Sequence, residues 1–302
     1  SAHLAALQEG VLVRAEHQLA TIVVTGDDRQ SWLAGMLTAD LSGAEVGAAR
    51  YALSVNKAGR IQAELWVLFD ETQILLAVRA DLVAPLLAHL DRFLIMEDAE
   101  VVAAPRPYNW WLAHGPHAAA VASRAEQEGA VVGQTQWGEL PTAVIAAPQT
   151  TPTFGDALLS VDGAVLATAQ GWARVRIERM LPRFGVDFEV GAYPQEASLE
   201  NLAVSFNKGC YIGQEAVFML EKRGHVQKRL VRLVSSDGQL AVGASVSDDQ
   251  GKHVGTITSA VPVAGGSYAL AMVRYKHTVS GTQLHVGGIA ATVSCLSQRA
   301  AG

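Results

Sequence analysis

The chain has 302 residues, of which 50% are hydrophobic and 17% charged, and its formal net charge is −6. This length allows one large domain or two to three ordinary ones with a substantial core. Nucleic-acid-binding proteins usually carry a basic surplus, so the mildly acidic balance argues against that class. Two cysteines, Cys210 and Cys295, exclude a disulfide framework and a four-cysteine metal site.

The beginning of the chain bears on the compartment. Residues 1–18 show no basic flank followed by an apolar core, which excludes a typical signal peptide. No apolar run approaches the roughly 18–20 residues that a membrane-spanning helix needs. We therefore expect a cytoplasmic protein in a reducing compartment, without a membrane segment.

Strand and helix patterns alternate along the first hundred residues. Apolar runs predict strands, and apolar residues at helical spacing predict amphipathic helices. Side chains alternate along a strand, so Glu64 and Trp66 are expected on one face. In chain order the patterns predict strand 19–25, helix 28–39, strands 50–56, 61–69 and 73–79, helix 81–95 and strand 100–104.

The rest of the chain first repeats this mixture and then changes character. We expect strand 110–115, helix 117–128, strand 142–147 and helix 165–180. From about Leu230, short strands recur between glycine-containing turns and no helical period appears. This pattern predicts an antiparallel barrel or sandwich of about seventy residues at the end of an α+β protein.

Residues 207–215, NKGCYIGQE, place a cysteine among glycines and charges. A short helix is expected to begin near Gly213, which puts Cys210 just before a helix N-terminus with Lys208 close by. Both features favour a thiolate and lower the pKa of a cysteine. Gly209 and Gly213 permit backbone conformations that expose the sulfur or admit a ligand. The alternative is a small buried hydrophobic residue.

If the thiol is reactive, Cys210 should be accessible to solvent. It should also alkylate faster than Cys295, which lies in an apolar strand-like stretch.

The stretch 181–230 strongly resembles the folate-binding superfamily of the glycine-cleavage T-protein, an aminomethyltransferase. Within it, KGCYIGQE is similar to the signature of the YgfZ branch, which supports iron–sulfur enzymes and tRNA modification. The resemblance extends to the first hundred residues and to the C-terminal region. It implies a three-domain α+β ring around a central folate-binding opening. The expected domains are an N-terminal folate-binding domain at 1–107, a second domain at 108–225 and a C-terminal β-barrel at 226–302.

The resemblance also implies tetrahydrofolate, or a derivative, as cofactor. Glu178 occupies the place of a family glutamate associated with pterin binding, because a carboxylate can accept hydrogen bonds from the pterin amino and ring N–H groups. The alternative is a helix-surface glutamate paired with Arg174 or Arg179. Arg176 would orient the helix end or an acidic neighbour.

Three further candidates for folate binding are weaker. Tyr51 and Asn56 lie in the strand and turn that line the family's site, although strand packing and turn formation would also explain them. Arg223 belongs to a basic stretch, Lys222–Arg229, that would attract an anionic folate tail, an acidic protein partner or RNA. We do not expect direct tRNA binding, because the chain is acidic overall and shows no known RNA-binding motif.

The resemblance separates two activities. Transferases of the superfamily carry an aspartate where this chain has Glu64, and they lack the motif cysteine. The leading hypothesis is a tetrahydrofolate-binding accessory factor for iron–sulfur proteins, in which Cys210, with Lys208 beside it, engages client proteins or assembly factors. The alternatives are an aminomethyltransferase-like one-carbon enzyme using Glu64, and a folate-binding module without chemistry. No metal-spaced cluster is evident.

Overall fold

The computed structural model describes residues 2–149, 153–222 and 224–294. Its contacts divide the chain into two compact units. One comprises Ser1–Thr168 with Asn201–Gln214, and the other comprises Ala169–Glu200 with Glu215–Gly302. The domain boundaries expected at 107 and 225 stay a prediction. None of the described helices is long and apolar enough to cross a membrane.

The first unit contains two five-stranded sheets with helices between their strands. A 3₁₀ turn, Ala80–Leu82, precedes its third helix. The elements in chain order are α1 (Ala2–Glu9), β1 (Val11–Ala15), β2 (Leu19–Thr25), α2 (Arg29–Met36), β3 (Ala49–Val55), β4 (Ile61–Phe69), β5 (Ile74–Arg79), α3 (Val83–Asp91), β6 (Glu100–Ala103), β7 (Tyr108–His114), α4 (Ala118–Gln127), β8 (Val131–Trp137), β9 (Leu140–Pro148), α5 (Phe154–Leu159) and β10 (Ala164–Leu166).

One sheet has the order β3-β4-β5-β2-β6 and is antiparallel throughout. Its strands β4 and β5, which were predicted as strands at 61–69 and 73–79, are nearly fully buried. Helix α2 ends at Met36, earlier than expected, because Leu37 is already extended and forms a bridge to Ser54. The chain after α2 is thereby fixed against strand β3.

The other sheet has the order β10-β1-β7-β9-β8, with β1 and β10 parallel. Strand β1 comes from the N-terminus, where no strand was predicted. Trp110 Nε1 donates to Thr21 Oγ1 at 2.9 Å, which ties the two sheets together. They also approach closely at Gly133, where a Cβ would lie 2.5 Å from the Ala48 carbonyl oxygen.

The second unit contains a closed antiparallel barrel, which confirms the prediction for the C-terminal region. Helix α6 (Ala169–Glu178) packs Ile177 against Leu230, Val261 and Leu270 of this barrel. The barrel strands are β11 (Lys228–Ser235), β12 (Ser245–Ser247), β13 (His253–Val263), β14 (Gly266–Arg274), β15 (Gln283–Val286) and β16 (Ile289–Ser294), and two short helices, α7 (Glu200–Ala203) and α8 (Gln214–Lys222), precede them. The order of the strands around the barrel is β11-β14-β13-β12-β15-β16.

Candidate functional site

Cys210 is exposed on a loop that is anchored on both sides. Before it, the Ser205 backbone N–H donates to the Thr38 carbonyl at 2.9 Å, and after it the Ile212 N–H donates to the Gly35 carbonyl at 3.0 Å. Both acceptors lie at the C-terminal end of α2 or just beyond it. The sulfur is therefore presented from a held segment and not from a free loop.

Lys208 turns its ammonium group toward the same region. Its Nζ donates to the backbone carbonyls of Ala34 at 2.6 Å, Leu37 at 2.8 Å and Ala39 at 2.7 Å. An ammonium group has three N–H donors, so its hydrogen-bonding capacity is used up by these acceptors. Burial lowers the pKa of Lys208 to about 8. No donor remains for a hydrogen bond to the Cys210 sulfur.

The two glycines of the motif differ in what the backbone requires. Gly213 has φ +77°, and a Cβ there would lie 2.2 Å from the carbonyl oxygen of Asn56 in the β3–β4 turn. Gly209 has open space at the corresponding position. Gly213 is therefore needed for the loop to pack on the turn, whereas Gly209 leaves room beside Cys210.

Asn56 shapes the turn itself. Its side-chain Oδ1 accepts hydrogen bonds from the backbone N–H groups of Ala58 at 3.0 Å and Arg60 at 3.1 Å. Turn formation, one of the two roles considered for Asn56, is thus observed, and its contact with folate stays a prediction.

Glu64, which is half-buried, forms an acidic centre with the buried Tyr51. The Tyr51 hydroxyl donates to Glu64 Oε2 at 2.6 Å, and the Tyr51 ring packs against Trp66 and Trp137 with centroid distances of 4.9 and 5.5 Å. Burial raises the pKa of Glu64 to about 7, although the hydrogen bond from Tyr51 opposes the shift. A carboxyl group that titrates near neutrality can act as a general acid or base.

Charged residues on β1 and just after it lie near Glu64, as does Arg79 at the end of β5. Arg14 and Glu16 form an ion pair. Glu16 raises the pKa of Glu64 and Arg14 lowers it. Sequence reasoning missed both residues, because only the pairing of β1 with β7 and β10 brings them here. The available signal was a pair of opposite charges directly after a short apolar run.

A buried histidine lies beside the same aromatic cluster. The His114 ring centroid is 5.4 Å from that of Trp137, and its Nδ1 lies 3.0 Å from Thr142 Oγ1. Thr142 Oγ1 donates its own proton to the Leu140 carbonyl, so His114 Nδ1 is the donor to Thr142. Burial lowers the pKa of His114 well below its ordinary value of 6.5, which keeps the ring neutral.

Glu178 and Arg176 lie in the second unit, on the last turn of α6. Glu178 Oε1 accepts from Arg174 Nε at 2.9 Å, which is the i, i+4 pair weighed as the alternative to pterin binding. The Glu178 side chain keeps 17% exposure. The contact of this carboxylate with folate stays a prediction.

Arg176 is buried and takes part in a network of hydrogen bonds. Its Nη1 donates to Asp187 Oδ2 at 2.6 Å and its Nη2 to Ser259 Oγ at 2.6 Å. Asp187 Oδ1 also accepts from the hydroxyls of Thr258 and Ser259 at 2.5 and 2.6 Å. Arg176 thus holds an acidic neighbour, one of the roles expected of it, and ties α6 to strand β13.

Two sequence-level expectations cannot be placed, because Arg223 and Cys295 lie outside the described residues. Within the described ranges, no group of three or more histidine, cysteine, aspartate or glutamate side chains is arranged to hold a metal ion. Cys210 therefore has no neighbouring ligand set of that kind among the residues described.

Comparison with known proteins supports the architecture and identifies the family. Residues 227–297 match the family model of the CAF17 C-terminal β-barrel domain. The glycine cleavage system aminomethyltransferase T from Bartonella henselae has a similar solved structure, with TM-score 0.80 and 21% identity, covering 98% of this chain and 88% of that one. This match confirms the predicted aminomethyltransferase-type fold with a C-terminal barrel.

Two relatives are similar in sequence over most of their length. The mouse mitochondrial iron–sulfur cluster assembly factor IBA57 is 30% identical over 291 residues, which cover 88% of this chain and 78% of the relative. The tRNA-modifying protein YgfZ of Sodalis glossinidius is 26% identical over 290 residues, covering 88% and 86%. Together with the KGCYIGQE motif, these matches show that the chain belongs to the YgfZ/IBA57 family.

Proposed function

We propose that this protein is a tetrahydrofolate-binding accessory factor for the assembly or repair of iron–sulfur proteins, and that it acts through Cys210. The observation that carries the proposal is the exposed cysteine, held on an anchored loop within the family motif. The names of the relatives support the biological setting, since one is an iron–sulfur cluster assembly factor and others are tRNA-modifying proteins. Iron–sulfur enzymes that modify tRNA are therefore among the proposed clients.

The chemistry of Cys210 favours action on a partner. Iron–sulfur clusters are bound by several cysteine thiolates, and a single thiol holds one only by sharing it with another protein. No group of potential metal ligands surrounds Cys210 in the described part of the chain. We infer that Cys210 contacts a client or an assembly factor, with the cluster or a sulfur species as cargo.

Folate binding is the second component of the proposal. Glu178 fits a pterin, because its partly exposed carboxylate is fixed by Arg174 and can accept hydrogen bonds from the pterin N–H groups. Arg176 acts as a positioning residue through Asp187. Tyr51, Asn56 and Arg223 remain candidates for further contacts. When bound, reduced folate would supply a one-carbon carrier or a reductant.

Complementation and titration test the two components separately. In a cell that lacks its native homologue, Cys210→Ala should abolish support of iron–sulfur enzymes and leave tetrahydrofolate affinity nearly intact. Glu178→Gln should weaken folate binding by about 10- to 100-fold, because a charge-assisted hydrogen bond contributes roughly 1.5–3 kcal/mol. Glu126→Gln, which changes an exposed glutamate on α4, is the matched control.

Calorimetric titration reports the affinities. Unchanged tetrahydrofolate affinity in the Glu178→Gln protein would show that Glu178 does not bind the pterin. Full complementation by the Cys210→Ala protein would contradict the role of the thiol.

A one-carbon transferase is the second candidate function, and Glu64 favours it. The half-buried carboxyl group accepts a hydrogen bond from Tyr51, and its pKa of about 7 suits proton transfer. One feature argues against a transferase. Glu64 places its oxygens about 1.5 Å beyond those of the aspartate that transferases carry, and shifts of about 1 Å can cost a hundredfold in rate. We expect little or no aminomethyl transfer from a lipoyl carrier. Robust transfer together with full complementation by Cys210→Ala would establish the transferase instead.

A further inference from the structure

The end of helix α2 offers an unusual concentration of backbone acceptors. The last carbonyl groups of a helix lack intrahelical partners and must find donors elsewhere. Here three carbonyls, of Ala34 in the last turn, of Leu37 at the C-cap and of Ala39 beyond it, accept hydrogen bonds from Lys208 Nζ at 2.6–2.8 Å. The sequence separations are 174, 171 and 169 residues, so this contact ties together distant parts of the first unit.

We infer that Lys208 is a positioning residue whose ammonium group fixes the loop that presents Cys210. The inference rests on the proposed function, in which Cys210 is the working thiol. In this inference Lys208 holds the loop in place. Its position two residues before Cys210 had suggested a different role, the electrostatic stabilisation of a thiolate.

The spacing of the contacts supports this role. Backbone hydrogen bonds hold the loop at Ser205 and Ile212, and Lys208 holds it between them. All three attach to the segment from Ala34 to Ala39. Cys210 therefore lies between the second and third attachments, on a stretch too short to move far while both remain. Removing the central attachment leaves the longer span from Ser205 to Ile212 with only its ends fixed.

The chemistry of the contact is specific to an ammonium group. Three acceptors around one nitrogen suit the three N–H donors of lysine, whereas the planar guanidinium group of arginine directs its donors differently. A methionine of similar length fills the space and satisfies none of the carbonyls. Lys208→Met therefore removes the attachment with little loss of packing, and Lys208→Arg should restore it only in part.

Amide hydrogen exchange of the full-length protein measures the attachment directly. In Lys208→Met we expect the amides of Ser205 and Ile212 to exchange at least about tenfold faster, because local opening requires one attachment fewer. The amide of Leu76 in the central strand β5 should be unaffected. Lys252→Met, at an exposed lysine, is the control and should change none of the three rates.

Chemical rescue provides a second measurement. Lys208→Ala leaves the three carbonyls without their donor, so added methylammonium should slow exchange at Ser205 and Ile212 again. Tetramethylammonium, which has no N–H group, should not. In cells, Lys208→Met should lose support of iron–sulfur enzymes even though Cys210 still reacts with a thiol reagent.

Several outcomes would overturn the inference. Unchanged exchange at Ser205 and Ile212 would show that the ammonium does not hold the loop. An equal increase at Leu76 would show a general loss of stability instead of local positioning. Full complementation by Lys208→Met, despite faster exchange, would show that the placement of Cys210 does not matter. If Cys210→Ala itself complements, the proposed function fails, while the exchange measurements still decide whether Lys208 holds the loop.

Discussion

Replacing Glu64 with glutamine should change how the stability of the protein depends on pH. Burial raises the pKa of Glu64 from 4.5 to about 7 in the folded chain, so folding favours the protonated form. The stabilising contribution is fully present below about pH 4.5 and is lost as the pH rises through 7. Glutamine keeps the size and an acceptor for the Tyr51 hydroxyl but cannot ionise. The Glu64→Gln protein should therefore not lose this contribution to its stability as the pH rises.

The magnitude follows from the two pKa values. The gap between about 7 and 4.5, at 1.36 kcal/mol per pH unit, corresponds to roughly 3 kcal/mol in total. Between pH 5.5 and 8.5 the expected part is roughly 2 kcal/mol, because the unfolded carboxyl group is already mostly ionised at pH 5.5. This is a large fraction of the stability of an ordinary domain.

Urea unfolding of both proteins at pH 5.5 and 8.5 provides the measurement. The unmodified protein should lose roughly 2 kcal/mol more than Glu64→Gln over this interval. His114 contributes in the opposite direction, because its lowered pKa costs stability as the pH falls below 6.5. That contribution is common to both proteins and cancels in the comparison. Glu126→Gln should behave like the unmodified protein, and identical pH dependence with and without Glu64 would refute the reasoning.

Further predictions concern the contacts around each candidate residue. Tyr51→Phe removes the donor that favours ionised Glu64, so the midpoint of this pH dependence in urea unfolding should move upward. Gly213→Ala should destabilise by roughly 1–3 kcal/mol in the same assay, because of its positive φ, whereas Gly209→Ala should be nearly neutral. Asp187→Asn leaves Arg176 buried without a counterion, and calorimetry should show a loss of about 3–5 kcal/mol.

Local sequence patterns were sufficient to predict many of the strands and helices and the C-terminal barrel. The run 61–69 coincides with β4, and the glycine-separated short strands after Leu230 form the closed barrel. Both are cases in which neighbouring residues alone determine which face is buried. Helix α8 begins within a residue of the position expected from the motif. The cysteine motif likewise identified the family.

Long-range pairing could not be predicted in this way. Strand β1, near the N-terminus, pairs with β7 and β10, which lie far along the chain. In this arrangement Arg14 and Glu16 lie near Glu64. Strand β8 was missed because Gly133 and polar residues weaken its local pattern. Gly133 is explained by tertiary structure, since any Cβ would collide with the Ala48 carbonyl. The roles of these residues depend on contacts with residues that are distant in sequence, so local patterns do not predict them.

The motif around Cys210 shows most clearly why closeness in sequence is a poor guide to electrostatics. Lys208 and Tyr211 both turn inward, with the ammonium group 5.2 Å from the ring centroid of Tyr211, a residue that is only 7% exposed. Cys210 between them remains exposed. The three N–H donors of the ammonium group are engaged by backbone carbonyls. Cys210 therefore depends on the adjacent lysine for its placement, and a change at Lys208 should act on the thiol through the geometry of the loop.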